Sequence, residues 1–485
     1  MNPLQRHLCL WPLLIGLTAC APHPAMHPPL QPLELATGQA QAPVVPDSVW
    51  RRSDWWQAFA DPQLSALITQ ALQANPDLQA TRARLERAAA IAGASAASLW
   101  PRLDATGSVT RTRFSAQGEI PPPFAGSISN VNEAALEGVW ELDFFGRNRE
   151  ALQAAIGTTR AVAAEHQAAG ILLASDIARR YFDLARQLSQ RELLQQHVER
   201  QHERQRLLQR RHDAGIDSRD VLDEAHAQLQ ESTRELAALD GGIEGTHHVL
   251  ATLLGKAPDA LQTLTAQLPA TTAFPVPPRL PADLLGHRAD IVAARWRVEA
   301  ARHQLASTRA GFYPNIDLRA FTGYSSIGTL DHWLEAASRQ SGIGVAFNLP
   351  LFNAGQLRAE YRARSAEADL AIAGYNATLL NALRDVADEL SALESTERQL
   401  QHQHSALESS LRALARSRQR HASGIGDRLE VLDAEAATYT RRSRLTELQA
   451  RQTDDRIRLI RALGGGYPED ADPIATSTAS GKASK

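Results

Sequence analysis

Arg211-His212-Asp213-Ala214-Gly215-Ile216 and Arg420-His421-Ala422-Ser423-Gly424-Ile425 carry one pattern twice, at an offset of 209 (420 − 211) in a chain of 485 residues. Each ends at a glycine, which tolerates the positive φ that a tight helix-to-helix turn demands. Downstream, Asp220-Val221-Leu222-Asp223 answers Glu430-Val431-Leu432-Asp433 at 210, so the first turn is one residue shorter. Upstream, Phe145-Gly146-Arg147 answers Phe352-Asn353-Ala354-Gly355-Gln356, and Trp100-Pro101 answers Tyr313-Pro314 at 213. The run from Asp77 to Ala88 matches that from Asp290 to Ala301 at the same 213, through Asp, Ala, two Arg, Glu and Ala. The chain is therefore a duplication, and two copies of one unit are expected to pack as a pseudosymmetric whole.

Each copy reads as helix, two strands, long helix, tight turn, long helix. Leu379, Leu383, Val386, Leu390, Leu393, Leu400, Leu407, Leu411 and Leu414 follow alternating spacings of four and three, broken by Glu397 and His404. In the first copy Leu222, Ala225, Leu229, Ser232, Leu236, Leu239, Ile243, Thr246, Leu250 and Leu253 keep that rhythm. These heptad seams predict antiparallel coiled-coil hairpins. From Gly146 to Asp213 the helix runs roughly 65 residues, on the order of 100 Å, far beyond a globular helix.

The strands are fainter. Ile316, Leu318, Ala320, Thr322 and Tyr324 alternate with Asp317, Arg319, Phe321 and Gly323, and Ile343, Val345, Phe347 and Leu349 alternate with Gly344, Ala346 and Asn348. Their counterparts lie near 103–113 and 131–143. Such runs fit transmembrane β-strands, and four cannot close a membrane barrel, so several chains must share one. On pattern alone, a small soluble β-subdomain on a coiled-coil protein stays open.

Composition narrows the class. Hydrophobic residues make up 44% and charged residues 22%, enough for an ordered core. Basic and acidic residues balance at 51 against 54, which removes the footprint of a nucleic-acid binder. Both cysteines, Cys9 and Cys20, lie at the N-terminus. Arg6, the short apolar run Leu8 to Leu17 and the small residues before Cys20 have the layout of a secretory signal peptide over 1–19. Beyond it are expected an extended segment (20–60), the repeats 61–257 and 282–463, a Pro-rich linker (258–281) and a disordered tail (464–485). His247-His248 and the His402/His404 pair have no carboxylate at useful spacing and are expected to be solvated helix residues. No phosphate loop, His-Glu-x-x-His pattern or nucleophile elbow is present, so no catalytic residue, metal site or enzyme activity is expected.

Leu17-Thr18-Ala19-Cys20 resembles a bacterial lipobox, which implies diacylglycerol and N-acyl lipid on Cys20, with Ala21 favouring outer-membrane sorting. Trp55-Trp56-Gln57-Ala58-Phe59-Ala60-Asp61-Pro62-Gln63-Leu64, Ala71 to Leu78, Trp140 to Gly146, Leu349 to Gly355 and the two Arg-x-x-x-Gly turns resemble the outer-membrane efflux factors of the NodT type, relatives of TolC and OprM. His287-Arg288-Ala289-Asp290 departs from the Asn-Arg-Pro-Asp common there. The resemblance covers nearly the whole mature chain. It implies a mainly α fold with a transmembrane β-barrel: a homotrimer whose shared twelve-stranded barrel in the outer membrane continues into an α-helical tube through the periplasm. It also implies an exit duct that passes small molecules such as drugs from an inner-membrane efflux transporter by way of a periplasmic adaptor, with no cofactor beyond the lipid. Gly215, Ile216, Gly424 and Ile425 then become adaptor-docking turns, and Glu430 and Asp433 a periplasmic gate of stacked acidic rings. A coiled-coil structural or binding lipoprotein of the envelope is the alternative.

Overall fold

The computed structural model describes residues 30–33, 52, 54–269 and 288–465. The signal peptide, Cys20, the second half of the Pro-rich linker with His287, and all but the first two residues of the expected tail lie outside the described residues. Along the chain run α1 (Pro62–Ala74), α2 (Pro76–Ala97), β1 (Arg102–Arg113), β2 (Ile128–Glu141), α3 (Arg147–Asp213) and α4 (Arg219–Leu253). The second copy follows as α5 (Ala289–Ala310), β3 (Asn315–Ile327), β4 (Arg339–Asn348), α6 (Gln356–Ala422) and α7 (Arg428–Ala462). The duplication is legible in length: α3 and α6 are 67 residues each, α4 and α7 are 35 each. No described helix is long and apolar enough to cross a membrane.

Two compact units emerge. The described residues of Met1–Leu33, Leu85–Val162 and Ala294–Asn376 form one, and those of Glu34–Arg84, Ala163–Ala293 and Ala377–Lys485 the other.

The first unit holds an antiparallel sheet in the order β1-β2-β3-β4. Because side chains alternate across a strand, register decides which residues share a face. Leu103 lies opposite Gly138, Ala105 opposite Leu136, Trp140 opposite Leu318, Ala320 opposite Ile343, Leu318 opposite Val345 and Ile316 opposite Phe347, so one face is apolar. On the other face Asp104 lies opposite Glu137, Ser108 opposite Glu133, Val139 opposite Arg319 and Glu141 opposite Asp317. Much of the apolar face has no cover: Ile343 is 78% exposed, Val345 68% and Phe347 77%, whereas Asn132 near its loop end is fully buried. The outer edges of β1 and β4 pair with nothing among the described residues. At Gly323 a Cβ would collide with the carbonyl oxygen of Ala134 on β2, so only glycine lets the strands pair there. Below the sheet α3 and α5 touch at Gly157, where a Cβ would meet Ala300 at 3.1 Å. His303 bonds Glu150 at 2.6 Å, and Arg160 sits 4.5 Å above the Trp296 ring. The Leu30 and Leu33 amides donate to Asp369 and Asn376 on α6, tying an N-terminal stretch along that helix.

The second unit is helical. Its core packs Trp55, Leu64, Ile68, Ile177, Tyr181, Leu184, Leu250, Ile457 and Ile460. Asp61 caps α1 through the Leu64 amide and accepts from the Tyr181 hydroxyl at 2.7 Å, so one carboxylate fixes both the start of α1 and its seat on α3. Burial first, and Asp61 second, push the Tyr181 phenol far above its usual range. The first heptad seam is buried at Leu222, Ala225, Leu229, Ser232, Ile243, Thr246 and Leu250. The second is buried at Leu379, Leu393, Leu400 and Leu414, whereas Leu411 is 36% exposed.

Three local expectations are corrected. His247 is not solvated. It is 6% exposed and its Nε2 lies 3.1 Å from the Leu264 carbonyl, because the chain after α4 folds back over it, while His248, His402 and His404 are exposed. The first part of the Pro-rich stretch is not a loose linker either: Pro258–Leu261 forms a 3-10 turn, and Leu264 and Ala266 are buried in the core. Trp55–Phe59 is likewise a 3-10 turn with both tryptophans buried, not extended chain.

Candidate functional site: the hairpin tips and the ion pairs behind them

Both tips sit in the helical unit and close the same way. The Ile216 amide donates to the Arg211 carbonyl and the Gly215 amide to that of His212, both at 2.8 Å; Ile425 and Gly424 repeat this on Arg420 and His421 at 3.0 Å. This six-to-one, five-to-two pair is a Schellman motif, which needs a left-handed residue at its glycine. Gly215 has φ +70 and Gly424 +71, and neither has anything within 4 Å of its Cβ position. The hydrophobic contact that often accompanies such a cap is replaced by exposure, since the residue facing each isoleucine is an arginine. Ile216 is 65% exposed and Ile425 81%.

Behind the tips, Leu208, Leu222 and Ala225 of the first hairpin pack with Leu429 of α7. Around this small apolar contact lies a set of ion pairs between α3 and α7. Arg428 donates from Nε and Nη2 to the two oxygens of Glu203 at 2.7 and 2.9 Å. Arg204 bonds Asp433, and Arg211 bonds Asp427 at 3.1 Å and Asp217 at 2.7 Å. The Arg428 hydrogen bond, opposed by burial and reinforced by Arg200, holds the Glu203 carboxyl below its usual range. Hydrogen bonding to Arg211 does the same for Asp217.

Glu430 and Asp433 are both exposed, flanking the buried Val431 and Leu432. Neither is a bare carboxylate: Glu430 bonds Arg420 of α6 at 3.0 Å, and Asp433 bonds Arg204 of α3. Of their first-copy counterparts, Asp223 bonds Arg219 one turn earlier at 3.1 Å. The glycines and isoleucines are thus brought together with the acidic pair at one end of the unit, linked by the bond from Arg211 to Asp427.

Arg204 and Arg428 were not among the residues singled out from sequence, and Arg211 and Arg420 entered only as the first residues of the turn motifs. Arg204 and Arg211 are seven apart on α3, a heptad spacing that places them on one stripe, and that spacing was the available signal.

An open sheet with one apolar face in one unit and duplicated helical hairpins in the other are the features that place the chain among known proteins. The chain belongs to the outer membrane efflux protein family, whose pattern matches residues 67–256 and 280–465. It is 31% identical over 472 residues to the multidrug resistance outer membrane protein MdtQ of Escherichia coli O6:H1, covering 95% of this chain and 98% of that one. To MdtP of Escherichia coli K12 it is 30% identical over 443 residues, 88% of each. Among solved structures, VceC of Vibrio cholerae matches with a TM-score of 0.78 at 31% identity, over 86% of this chain and 100% of that one. The outer-membrane channel OprN matches at 0.79 and 27%, over 91% and 99%. The chain is an outer-membrane protein of the efflux-channel type, and the family is one of transport ducts.

Proposed function

We propose that three copies of this chain close their sheets edge to edge into one barrel, and that the helical hairpins continue it as a passive exit duct for small molecules, drugs among them. The observation that carries this reading is the sheet: two edges unpaired among the described residues and an exposed apolar face, in a chain none of whose described helices is long and apolar enough to cross a bilayer. An exposed flat edge is a liability unless another copy pairs with it, and lipid is the solvent that suits the apolar face. The charged face, with Asp104, Glu133, Glu137 and Arg319, then lines the lumen. The names of MdtQ and MdtP as multidrug resistance proteins support drugs as cargo.

The duct takes its cargo from an inner-membrane transporter by way of a periplasmic adaptor, which docks on the exposed Ile216 and Ile425 beside Gly215 and Gly424. Exposed apolar knobs at the end of a rod suit such contact. Glu430 and Asp433 form the periplasmic gate, where threefold symmetry stacks them as two acidic rings that favour cations. Cys20 carries the lipid that tethers each copy to the membrane. The test is the detergent-extracted outer-membrane fraction: a heat-modifiable trimer is expected, and a soluble monomer after removal of the lipid signal would instead support a bracing lipoprotein.

A further inference from the structure

The two faces of the sheet differ in more than hydropathy. Every carboxylate of the four strands, Asp104, Glu133, Glu137, Glu141 and Asp317, falls on the polar face by register. The apolar face carries only three charges, Arg111 and Arg113 on β1 and Arg339 on β4. All three side chains are exposed, and none has an ion-pair or hydrogen-bond partner among the described residues. They sit at the ends of the strands away from the helix junctions, next to the loops 114–127 and 328–338, the outer side of the barrel proposed above.

Within one chain β1 and β4 are opposite edges, but the register brings them together between copies. Arg113 lies opposite Ile128, so β1 and β2 end level; β3 ends opposite Val131, three residues lower (131 − 128). β4 begins opposite Tyr324, three residues lower again (327 − 324). The strand ends therefore descend the ladder from β1 to β4, as the tilt of a closed barrel requires. Continuing that descent across the seam sets the end of the next copy's β1 beside the start of β4, with Arg339, Arg111 and Arg113 on one outward face. The neighbouring outward residues, Asn130, Asn132, Ser326 and Ser341, are uncharged donors and acceptors.

We infer that each seam of the barrel is a binding site for the phosphate groups of an outer-leaflet glycolipid, with Arg339 from one copy and Arg111 and Arg113 from the next as its ligands. The inference rests on the three-copy barrel proposed above. A lipid-facing arginine is costly at the bilayer midplane and nearly neutral at the interface. Three together with no carboxylate of the strands on their face repel one another, and an anionic headgroup at that depth relieves the repulsion through charge-assisted hydrogen bonds. Occupied seams would hold neighbouring copies together from outside.

The probe is lipid A with both phosphates, titrated into the delipidated wild-type protein in mild detergent and counted by native mass spectrometry. One lipid per seam is expected. R111Q/R113Q/R339Q together should weaken binding roughly ten-fold or more, and lipid A stripped of phosphate should bind the wild type no better than that. Arg319→Gln, on the lumen face, should leave binding unchanged. Should the triple variant fail to assemble, Arg339→Gln alone leaves β1 intact and should still weaken binding several-fold. Equal binding with and without the arginines, or with and without the phosphates, in an intact trimer overturns the site while leaving the barrel standing. A second arm reads the seam directly: Arg113→Cys with Arg339→Cys should form a disulfide between copies on oxidation, and an intact trimer that does not cross-link overturns the register. Wild-type protein that is not trimeric overturns the barrel reading itself, and the site with it.

Discussion

Replacing Glu203 by Gln tests whether the ion pairs between α3 and α7 hold the hairpin tips together. The change keeps shape and removes the charge that accepts two hydrogen bonds from Arg428, at 2.7 and 2.9 Å. The side chains are 31% and 28% exposed, so water screens the pair, and its geometry places it at the upper end of surface pairs, about 1 kcal/mol. If the pair opens in all three copies together, that becomes about 3 kcal/mol in favour of the open state, roughly a 150-fold shift in its equilibrium. Planar-bilayer recording reads this as a rise in open probability at neutral pH. The pH profile has a definite sign. Because Arg428 lowers the carboxyl's pKa in the folded protein, its stabilisation is present above the ordinary glutamate range and is lost as pH falls through the lowered value. The wild type should therefore gain opening only at pH below the ordinary glutamate range, and the Glu203→Gln channel should lack that component. Swapping the charges, Glu203→Arg with Arg428→Glu, should restore closure. A Glu203→Gln channel with wild-type open probability at neutral pH would refute the reasoning.

Three further outcomes are expected. Gly424→Ala meets no neighbour and should cost only the left-handed backbone, about 1–2 kcal/mol locally, whereas Gly424→Val, β-branched at φ +71, should abolish export while the trimer remains in the membrane; unchanged export with valine would sink the docking assignment. Replacing Glu430 and Asp433 by Gln and Asn should lower cation selectivity and weaken block by trivalent cations in single-channel recordings. The same double variant frees Arg204 and Arg420 of their partners, so reversal towards anions is the strong form of that result. Cys20→Ala should leave the precursor unlipidated, and the mature wild-type N-terminus should carry acyl mass; its absence from the wild type would exclude the lipid.

Much of the architecture was legible because it is periodic. A glycine after each long helix, a heptad seam either side of it and an offset between copies that shifts by only a few residues each constrain local geometry. The helices accordingly begin and end within a residue or two of the places their turns mark, Asp213 and Ala422 among them. Strand existence was legible from alternation, but strand limits were not: β2 begins at Ile128 rather than near 131, and β4 at Arg339 rather than 343, because the polar ends of membrane strands carry no alternation to read.

The sequence by itself determined the duplication, the hairpins, the glycine turns and the two-faced strands, since each depends on residues within a few positions of one another. Tertiary structure decided the rest. Glu203 and Arg428 are 225 positions apart, and Thr396 and Asp455, a buried pair at 2.7 Å, are 59 apart, so no spacing rule connects them. His247 was expected to be solvated because no carboxylate stands at a useful spacing from it, and it is buried because the chain returns over it seventeen residues later. The acidic pair was visible as two carboxylates, but that each is held by an arginine depends on how α3 and α6 lie against α7. The placement of Arg111 and Arg339 on one uncovered face depends likewise on hydrogen-bond register, because shifting a strand by one residue would move every side chain to the other side.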